Sequence, residues 1–353
     1  MIKRPKTMSL SFPSGSFQLG QLASSVVIIT GAGRSGKTLV GNLLGSCQHV
    51  EHIDEPWLPL VLPMLAGLGS IDENLAVQMF QTSVTELLNN RILMRDANLR
   101  PSDMSSIWKQ KSPEEIFSRL INLHSREDVK RHGRDHEPTL VLNLPDTGPY
   151  SSLFKKAIPE CHIVHLLRDG IDTALEVSDK GWLSDEELSH PDNPLPYREY
   201  SLASGDRTVY LPCWVEEGTE EQYLSYSDFG RGLYYWLRMA NVEEIHMAGF
   251  DESQYTMVKY QDLIDHPART FGTLQKRLNL TETDQTALLI SALTEQKSYE
   301  VPDGLPSSSD LAEVSAIRFR YQELGWPVGR VDQLLSRTKT QTEDRQLGSQ
   351  GGK

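Results

Sequence analysis

The sequence predicts an α/β fold of three layers, α/β/α, with a central and mainly parallel β-sheet. Three short apolar runs, at 26–29, 139–144 and 161–167, are typical of buried strands. Helical patterns separate these runs, which favours right-handed crossovers between parallel strands. Because ligands of such sheets bind outside the carboxyl ends of the strands, the residues that follow each run are the candidate site.

A glycine-rich loop follows the first strand. Gly31-Ala32-Gly33-Arg34-Ser35-Gly36-Lys37-Thr38 fits the phosphate-binding pattern G-x-x-x-x-G-K-[ST], and an apolar helical pattern continues through Leu44. Glycines allow backbone angles and close approaches that a side chain would block. Successive N–H groups and the helix N-terminus then attract one anion. The loop therefore predicts binding of a phosphorylated or sulfated nucleotide.

The remaining elements are predicted from apolar spacing and from capping signals. Residues 50–57 indicate a short strand and a turn at Pro56, and Ser112-Pro113 indicates a helix start. Helices are expected at 72–91, 151–157, 233–240 and 267–280, and a further strand at 255–260.

Composition narrows the class of protein. A chain of 353 residues with a formal net charge of −13 is unsuited to a nucleic-acid surface, because a polyanion would be repelled. The three cysteines, Cys47, Cys161 and Cys213, are far apart and odd in number, and two of them lie in apolar surroundings and are expected as buried thiols, which suits a reducing compartment. The sequence contains neither a signal-peptide pattern nor an apolar stretch long enough to span a bilayer. The expectation is a cytoplasmic enzyme without a membrane span.

The chain is expected to form a single large domain. Residues 1–22 are predicted as a flexible leader, 23–336 as the domain, and 337–353 as a disordered tail. Within the domain, 183–230 is rich in prolines, aromatics and acids and is too long for an ordinary loop. We expect this stretch to form a lid or insertion that binds an acceptor.

Three segments resemble the sulfotransferases that use 3′-phosphoadenosine 5′-phosphosulfate (PAPS). GAGRSGKT resembles the family's 5′-phosphosulfate loop, and LLRDGIDTALEVSDKGW at 166–182 is similar to its 3′-phosphate segment. VKYQDL at 258–263, before Pro267, looks like a Tyr-Glu-Asp-Leu segment of many members. The resemblance spans about 26–280 and implies a P-loop NTPase-like sulfotransferase fold.

The resemblance also implies roles for individual residues. Those expected to hold the 5′-phosphosulfate are Gly33, Arg34, Ser35, Gly36, Lys37 and Thr38. Arg168 would bind the 3′-phosphate, and Ser178 would add a hydroxyl contact. The family usually places that serine eight positions after the arginine, where this chain has Glu176, and Ser178 lies ten positions after it. Since two residues turn a helical side chain by roughly 200°, which of the two faces the phosphate stays open.

Glu55 is the candidate catalytic base, because the resemblance places a glutamate about 21 residues after the loop arginine. His52 and Asp54 lie beside it and stay open as alternatives. In the implied in-line transfer, Lys37 and Arg34 would neutralise charge that develops on the sulfuryl and bridging oxygens. A metal is not expected. The acceptor would be a small molecule or glycan with a hydroxyl or amine, and the oligomeric state is not predicted.

Two other functions remain open. Lys37 departs from the threonine common in the family and completes an NTPase signature, which favours a P-loop kinase or NTPase with Mg-ATP. Thr38 would then contact Mg²⁺, and Asp146 would be the second acid. Alternatively, the chain is a non-catalytic nucleotide-binding module in which Glu55 has no role.

Overall fold

The computed structural model describes residues 19–337, except 21–22, 193–194, 203–206 and 294–298. The predicted tail at 338–353 and most of the predicted leader lie outside these residues. The strands, in chain order, are β1 (Ser25–Thr30), β2 (Val50–Asp54), β3 (Thr139–Asn143), β4 (His162–Leu167), β5 (Tyr197–Ser201), β6 (Thr208–Pro212) and β7 (Tyr255–Lys259).

Five of these strands form one sheet in the order β2-β3-β1-β4-β7, and all four pairings are parallel. The prediction of a mainly parallel central sheet is therefore confirmed. β5 and β6 form a separate antiparallel pair inside the predicted lid stretch. The sequence did not indicate this hairpin.

Fifteen α-helices are bounded within the described residues. They are α1 (Lys37–Gly45), α2 (Trp57–Gly67), α3 (Glu73–Ile92), α4 (Pro113–Asn122), α5 (Arg126–His136), α6 (Ser152–Ala157), α7 (Gly170–Asp179), α8 (Asp185–Ser189), α9 (Glu220–Ser225), α10 (Asp228–Met239), α11 (Val242–Met247), α12 (Tyr260–Asp265), α13 (Pro267–Leu278), α14 (Asp284–Ser291) and α15 (Leu311–Glu323). A last helical segment runs from 329 to 337. Ser112 caps α4 through its side chain, as predicted.

Helices cover both faces of the sheet. Along β1, alternate residues enter different cores: Val27 and Ile29 pack in one cluster with Leu43 of α1. Val26 and Ile28 join a larger cluster that contains Phe80 of α3. Because strand side chains alternate between faces, these two clusters lie on opposite sides of the sheet. The three-layer α/β/α arrangement is therefore confirmed.

The strand order brings the candidate residues to one edge. β1 lies between β3 and β4, so the chain segments that follow these three strands leave the sheet side by side. They are the loop at 31–36, residues 144–147 and residues 168–169. The topological position of β1 thus assembles parts of the site that are more than a hundred residues apart.

The cysteines are buried and unpaired, as the composition predicted. Among the residues that the structure describes, we find no helix with the length and apolar character that a membrane span requires.

Candidate functional site

Two glycines fix the path of the loop between β1 and α1. Gly31 has φ +133°, and a Cβ there would lie 2.2 Å from the carbonyl oxygen of Leu166. Gly36 has φ +89°, and a Cβ there would lie 2.4 Å from the ring of Tyr260. A side chain at either position would be both strained and obstructed. The loop therefore holds its backbone against β4 and α12, with Gly36 capping α1.

Lys37 is folded into the loop. Lys37 is only 4% exposed. Its Nζ donates to the carbonyl oxygen of Ala32 and to Oγ of Ser35. Ser35 Oγ in turn donates to the same carbonyl oxygen at 2.7 Å. Burial lowers the pKa of Lys37, while the carboxylates of Asp146 and Glu55 oppose that change. The ammonium is thus positioned where an anion on the loop would meet it.

Arg168 reaches the loop from the end of β4. Its Nη1 donates to the carbonyl oxygen of Arg34 at 2.8 Å, although the two residues are 134 positions apart. The residue is 6% exposed, and its guanidinium lies 5.4 Å from the ring centroid of Tyr260 and 5.9 Å from that of Tyr299. The two motifs that the sequence singled out therefore form one basic site.

A carboxylate occupies the centre of this site. Glu176 Oε2 accepts from Arg34 Nε at 2.6 Å, and Oε1 accepts from Arg168 Nη1 at 2.7 Å. The hydroxyl of Tyr299 also donates to Oε1, at 2.8 Å. Burial alone would raise the pKa of Glu176, but these three hydrogen bonds hold it below its usual range. Glu176 therefore carries its charge between the two arginines.

Of the two residues left open, Glu176 and Ser178, the structure brings Glu176 to Arg168. α7 begins at Gly170 with Asp169 as its cap, and this phase directs Glu176 to Arg168. Ser178, two residues further, is turned by roughly 200° around the helix. Of the two candidates, Glu176 is therefore the residue that contacts Arg168, and a contact of Ser178 with the 3′-phosphate stays a prediction.

Carboxylates line the other side of the loop. Glu55 follows β2 with φ +45° and an exposed side chain. Partial burial and the nearby charge of Asp54 raise its pKa, and Lys37 opposes this. Asp54 accepts from Asn143 Nδ2 at 2.6 Å and from the Thr38 hydroxyl at 3.4 Å. Glu55 is thus the carboxylate of this pair that an acceptor can reach.

His52 lies in the protein core and not in the cleft. Its side chain has no exposed surface, and Gln110 Nε2 lies 3.0 Å from its Nδ1. The ring packs against Gly41, where a Cβ would lie 2.2 Å from Nε2. Burial lowers the pKa of His52 to about 3, so the ring is neutral near pH 7. His52 is therefore much less accessible than Glu55, although it lines a cavity of about 90 Å³ together with Asp54 and Arg91.

Asp146 is a site residue whose role the sequence did not indicate. It follows β3 with φ +61° and accepts a short hydrogen bond from the Tyr235 hydroxyl. The same hydroxyl accepts from the N–H of Gly33 in the loop. Burial raises the pKa of Asp146, and Lys37 lowers it. The kinase alternative placed Asp146 opposite Thr38 as a metal-binding acid, whereas the carboxylate that contacts Thr38 is Asp54.

The stretch predicted as a lid lies beside this group. A cavity of about 50 Å³ opens next to Asp146 and Tyr235 and is lined by aromatic residues that include Trp182, Tyr197 and Trp214. Tyr197 belongs to β5, and Trp214 lies just beyond β6. The hairpin thus contributes apolar walls to a cavity that the Asp146 carboxylate also lines.

The parallel sheet, with helices on both faces, defines an α/β protein whose glycine-rich loop and basic residues meet at one edge of the sheet. Residues 26–185 match the model of the sulfotransferase family. This span includes the loop, Glu55 and Arg168, so the family resemblance is confirmed and supports a transferase. No curated protein sequence matches the chain.

Several solved sulfotransferases superpose on the chain. The sulfotransferase domain from the curacin biosynthetic pathway gives a TM-score of 0.43 at 10% identity, covering 86% of this chain and 98% of that domain. The sulfotransferase domain of the Synechococcus PCC 7002 olefin synthase gives 0.40 at 11% identity, covering 83% and 94%. Sulfotransferase STF1 from Mycobacterium tuberculosis H37Rv gives 0.40 at 14% identity, covering 87% and 79%. These TM-scores are all below 0.5. The fold is therefore assigned from the strand order of the chain itself.

Proposed function

We propose that the protein transfers a sulfuryl group from PAPS to a hydroxyl or amine of a small-molecule or glycan acceptor. One observation carries the proposal: Arg168 Nη1 lies 2.8 Å from the carbonyl oxygen of Arg34. This contact supports the proposal because it joins the candidate 3′-phosphate ligand to the candidate 5′-phosphosulfate loop, so that one nucleotide could reach both. The match of residues 26–185 to the sulfotransferase family supports the same function.

The loop would bind the 5′ end of the donor. Backbone N–H groups from Arg34 to Thr38 and the N-terminus of α1 provide donors and partial positive charge, while the Gly33 N–H donates to Tyr235. Lys37 Nζ, which donates to the carbonyl oxygen of Ala32, is a cation held within the same loop. During transfer it would neutralise charge on the oxygen that bridges phosphorus and sulfur. Arg34, whose side chain is 48% exposed, would contact the sulfuryl oxygens.

Glu55 would act as the general base. An acceptor oxygen or nitrogen attacks sulfur as the sulfur–bridging-oxygen bond breaks, and the acceptor proton passes to the Glu55 carboxylate. The bridging oxygen leaves on adenosine 3′,5′-bisphosphate (PAP). The raised pKa of Glu55 suits this role, because a base accepts a proton more readily when its pKa lies closer to the working pH.

The acceptor would enter between the β5–β6 hairpin and the loop. Aromatic walls at Trp182 and Trp214 favour an apolar or ring-shaped acceptor beside the carboxylates. We also propose a cytoplasmic location, because three unpaired buried cysteines are typical of a reducing compartment. A resident metal is not part of this mechanism.

Calorimetric titration tests the donor. We expect PAP to bind without metal and to resist EDTA, whereas ADP and ATP should bind more weakly whether or not Mg²⁺ is present. A clear preference for Mg·ATP would overturn the proposal.

One observation favours a second function, a kinase or NTPase. The Thr38 hydroxyl lies 3.4 Å from Asp54 Oδ2, and a hydroxyl beside a carboxylate is a common arrangement for Mg²⁺ on a phosphate loop. Thr38→Ala separates the two functions. It should abolish Mg·ATP binding if the second function holds, and should reduce PAP binding only modestly if PAPS is the donor.

A further inference from the structure

We propose that Glu176 is an internal anion that occupies the subsite of the donor 3′-phosphate and weakens binding of 3′-phosphorylated nucleotides. This inference rests on the proposed function, because it takes Arg168 as the ligand of that phosphate. It adds a selectivity-determining residue that the family resemblance does not supply.

The contacts of Glu176 are those a bound phosphate would make. Its two oxygens accept from Arg34 at 2.6 Å, from Arg168 at 2.7 Å and from the Tyr299 hydroxyl at 2.8 Å. Two of these donors are charged, and distances of this length are typical of strong charge-assisted hydrogen bonds. The carboxylate is also largely removed from water, since the residue is only 7% exposed. In effect, the site already contains its own anion.

The position of Glu176 is fixed by packing. α7 lies directly against α10, where a Cβ on Gly232 would lie 2.9 Å from Cα of Ala174. The Asp169 side chain caps α7 and also accepts from Tyr321 at 2.8 Å. The helix therefore cannot turn to remove Glu176 from the arginines. Only the side chain can move.

An incoming 3′-phosphate must therefore compete. Arg34 and Arg168 supply two positive charges, and Glu176 cancels one of them. A phosphate that reaches Arg168 either displaces the carboxylate or lies next to a like charge in a poorly solvated place, and both cost free energy. In dinucleotide sites, a carboxylate selects a free ribose hydroxyl while an arginine accommodates a phosphate. This site contains both a carboxylate and an arginine. It therefore discriminates weakly between nucleotides with a free 3′-hydroxyl and nucleotides with a 3′-phosphate.

Tyr299, on the segment that Arg330 contacts, holds Glu176 in place. The Tyr299 hydroxyl donates to Glu176, while its N–H donates to Asp172 at 3.1 Å. Arg330 donates to the same Asp172 carboxylate at 2.7 Å and also contacts the Tyr299 carbonyl. Displacing Glu176 therefore breaks its hydrogen bond with Tyr299 as well as its ion pairs with Arg34 and Arg168.

Calorimetry with PAP and adenosine 5′-phosphate (AMP) tests the inference, since the two ligands differ only in the 3′-phosphate. Glu176→Gln and Glu176→Ser should each bind PAP at least about tenfold more tightly than the wild type, because a like charge is removed from contact distance. Binding of AMP should change by a much smaller factor than that of PAP, because AMP lacks the phosphate that competes with Glu176 and gains only from the release of Arg34. Asp179→Asn is the matched control: it removes one exposed charge from the end of the same helix and should change neither affinity.

A milder variant keeps the test valid if the Glu176 variants fold poorly. Tyr299→Phe removes one of the three contacts and leaves both ion pairs, so PAP affinity should rise by a smaller factor. If PAP binds the wild type and every variant equally, the Glu176 inference is wrong and the proposed donor stands. If AMP binds but no form of the protein binds PAP, both are overturned.

Discussion

Arg168→Ala is the substitution that bears most directly on donor recognition. The guanidinium is almost fully buried and makes two hydrogen bonds, one to the Arg34 carbonyl and one to Glu176. Removing it takes away the proposed ligand of the 3′-phosphate. The amides of the loop and Lys37, which would hold the 5′ end, are left in place.

The expected loss follows from these contacts. A hydrogen bond to a charged group contributes about 1.5–3 kcal/mol, and each 1.4 kcal/mol is a factor of ten in affinity. PAP should therefore bind about 10- to 150-fold more weakly to Arg168→Ala. AMP should change by less than about threefold, because it has no 3′-phosphate. Glu176 keeps Arg34 and Tyr299 as partners, so the fold should survive the change.

Paired titrations with PAP and AMP measure the two losses, and thermal denaturation checks that the variant is folded. Arg168→Lys is the matched control, since it keeps the charge but loses the planar guanidinium. Its affinity for PAP should lie between those of the wild type and Arg168→Ala. Equal losses for PAP and AMP would refute the assignment of Arg168 to the 3′-phosphate.

The remaining predictions concern catalysis and the loop. Glu55→Gln should leave PAP affinity unchanged and lower kcat by about 10²- to 10⁴-fold; unchanged turnover would assign the proton to another group. Because partial desolvation and the charge of Asp54 raise the pKa of Glu55, wild-type kcat/KM should fall with decreasing pH at a higher pH than for a glutamate of ordinary pKa. This acidic limb should be absent from the residual activity of Glu55→Gln. Lys37→Met should lower kcat by about 10²- to 10³-fold, since charge on the leaving oxygen is no longer neutralised; a normal rate would exclude that role. In urea denaturation, Gly31→Ala should lose about 1–3 kcal/mol more stability than Gly69→Ala, because both glycines have positive φ but only Gly31 faces a backbone oxygen. Equal losses would contradict the proposed close packing against β4.

Much of the fold could be predicted from local sequence patterns. β-Branched runs define the strands, the glycine loop defines the turn into α1, and Ser112-Pro113 defines the start of α4. The meeting of Arg168 with the loop could also be predicted, because carboxyl ends of parallel strands share an edge. These inferences succeed because each rests on a local pattern together with a general rule of topology.

Other parts of the site depend on packing that no local pattern encodes. The direction of Glu176 depends on the helical phase set by the Asp169 cap, and a shift of two residues would have turned it away. The bond between Asp146 and Tyr235 joins residues 89 positions apart. The burial of His52 could have been inferred only with knowledge that Gly41 and Gln110 cover it.

The central claim is that one bisphosphorylated adenosine spans the loop and Arg168. A crystal structure of the protein with PAP tests it directly. We predict the 5′-phosphate on the N–H groups of the loop and the 3′-phosphate within hydrogen-bond distance of the Arg168 guanidinium, with Glu176 moved aside. A 3′-phosphate in solvent, with Glu176 still paired to both arginines, would contradict the claim.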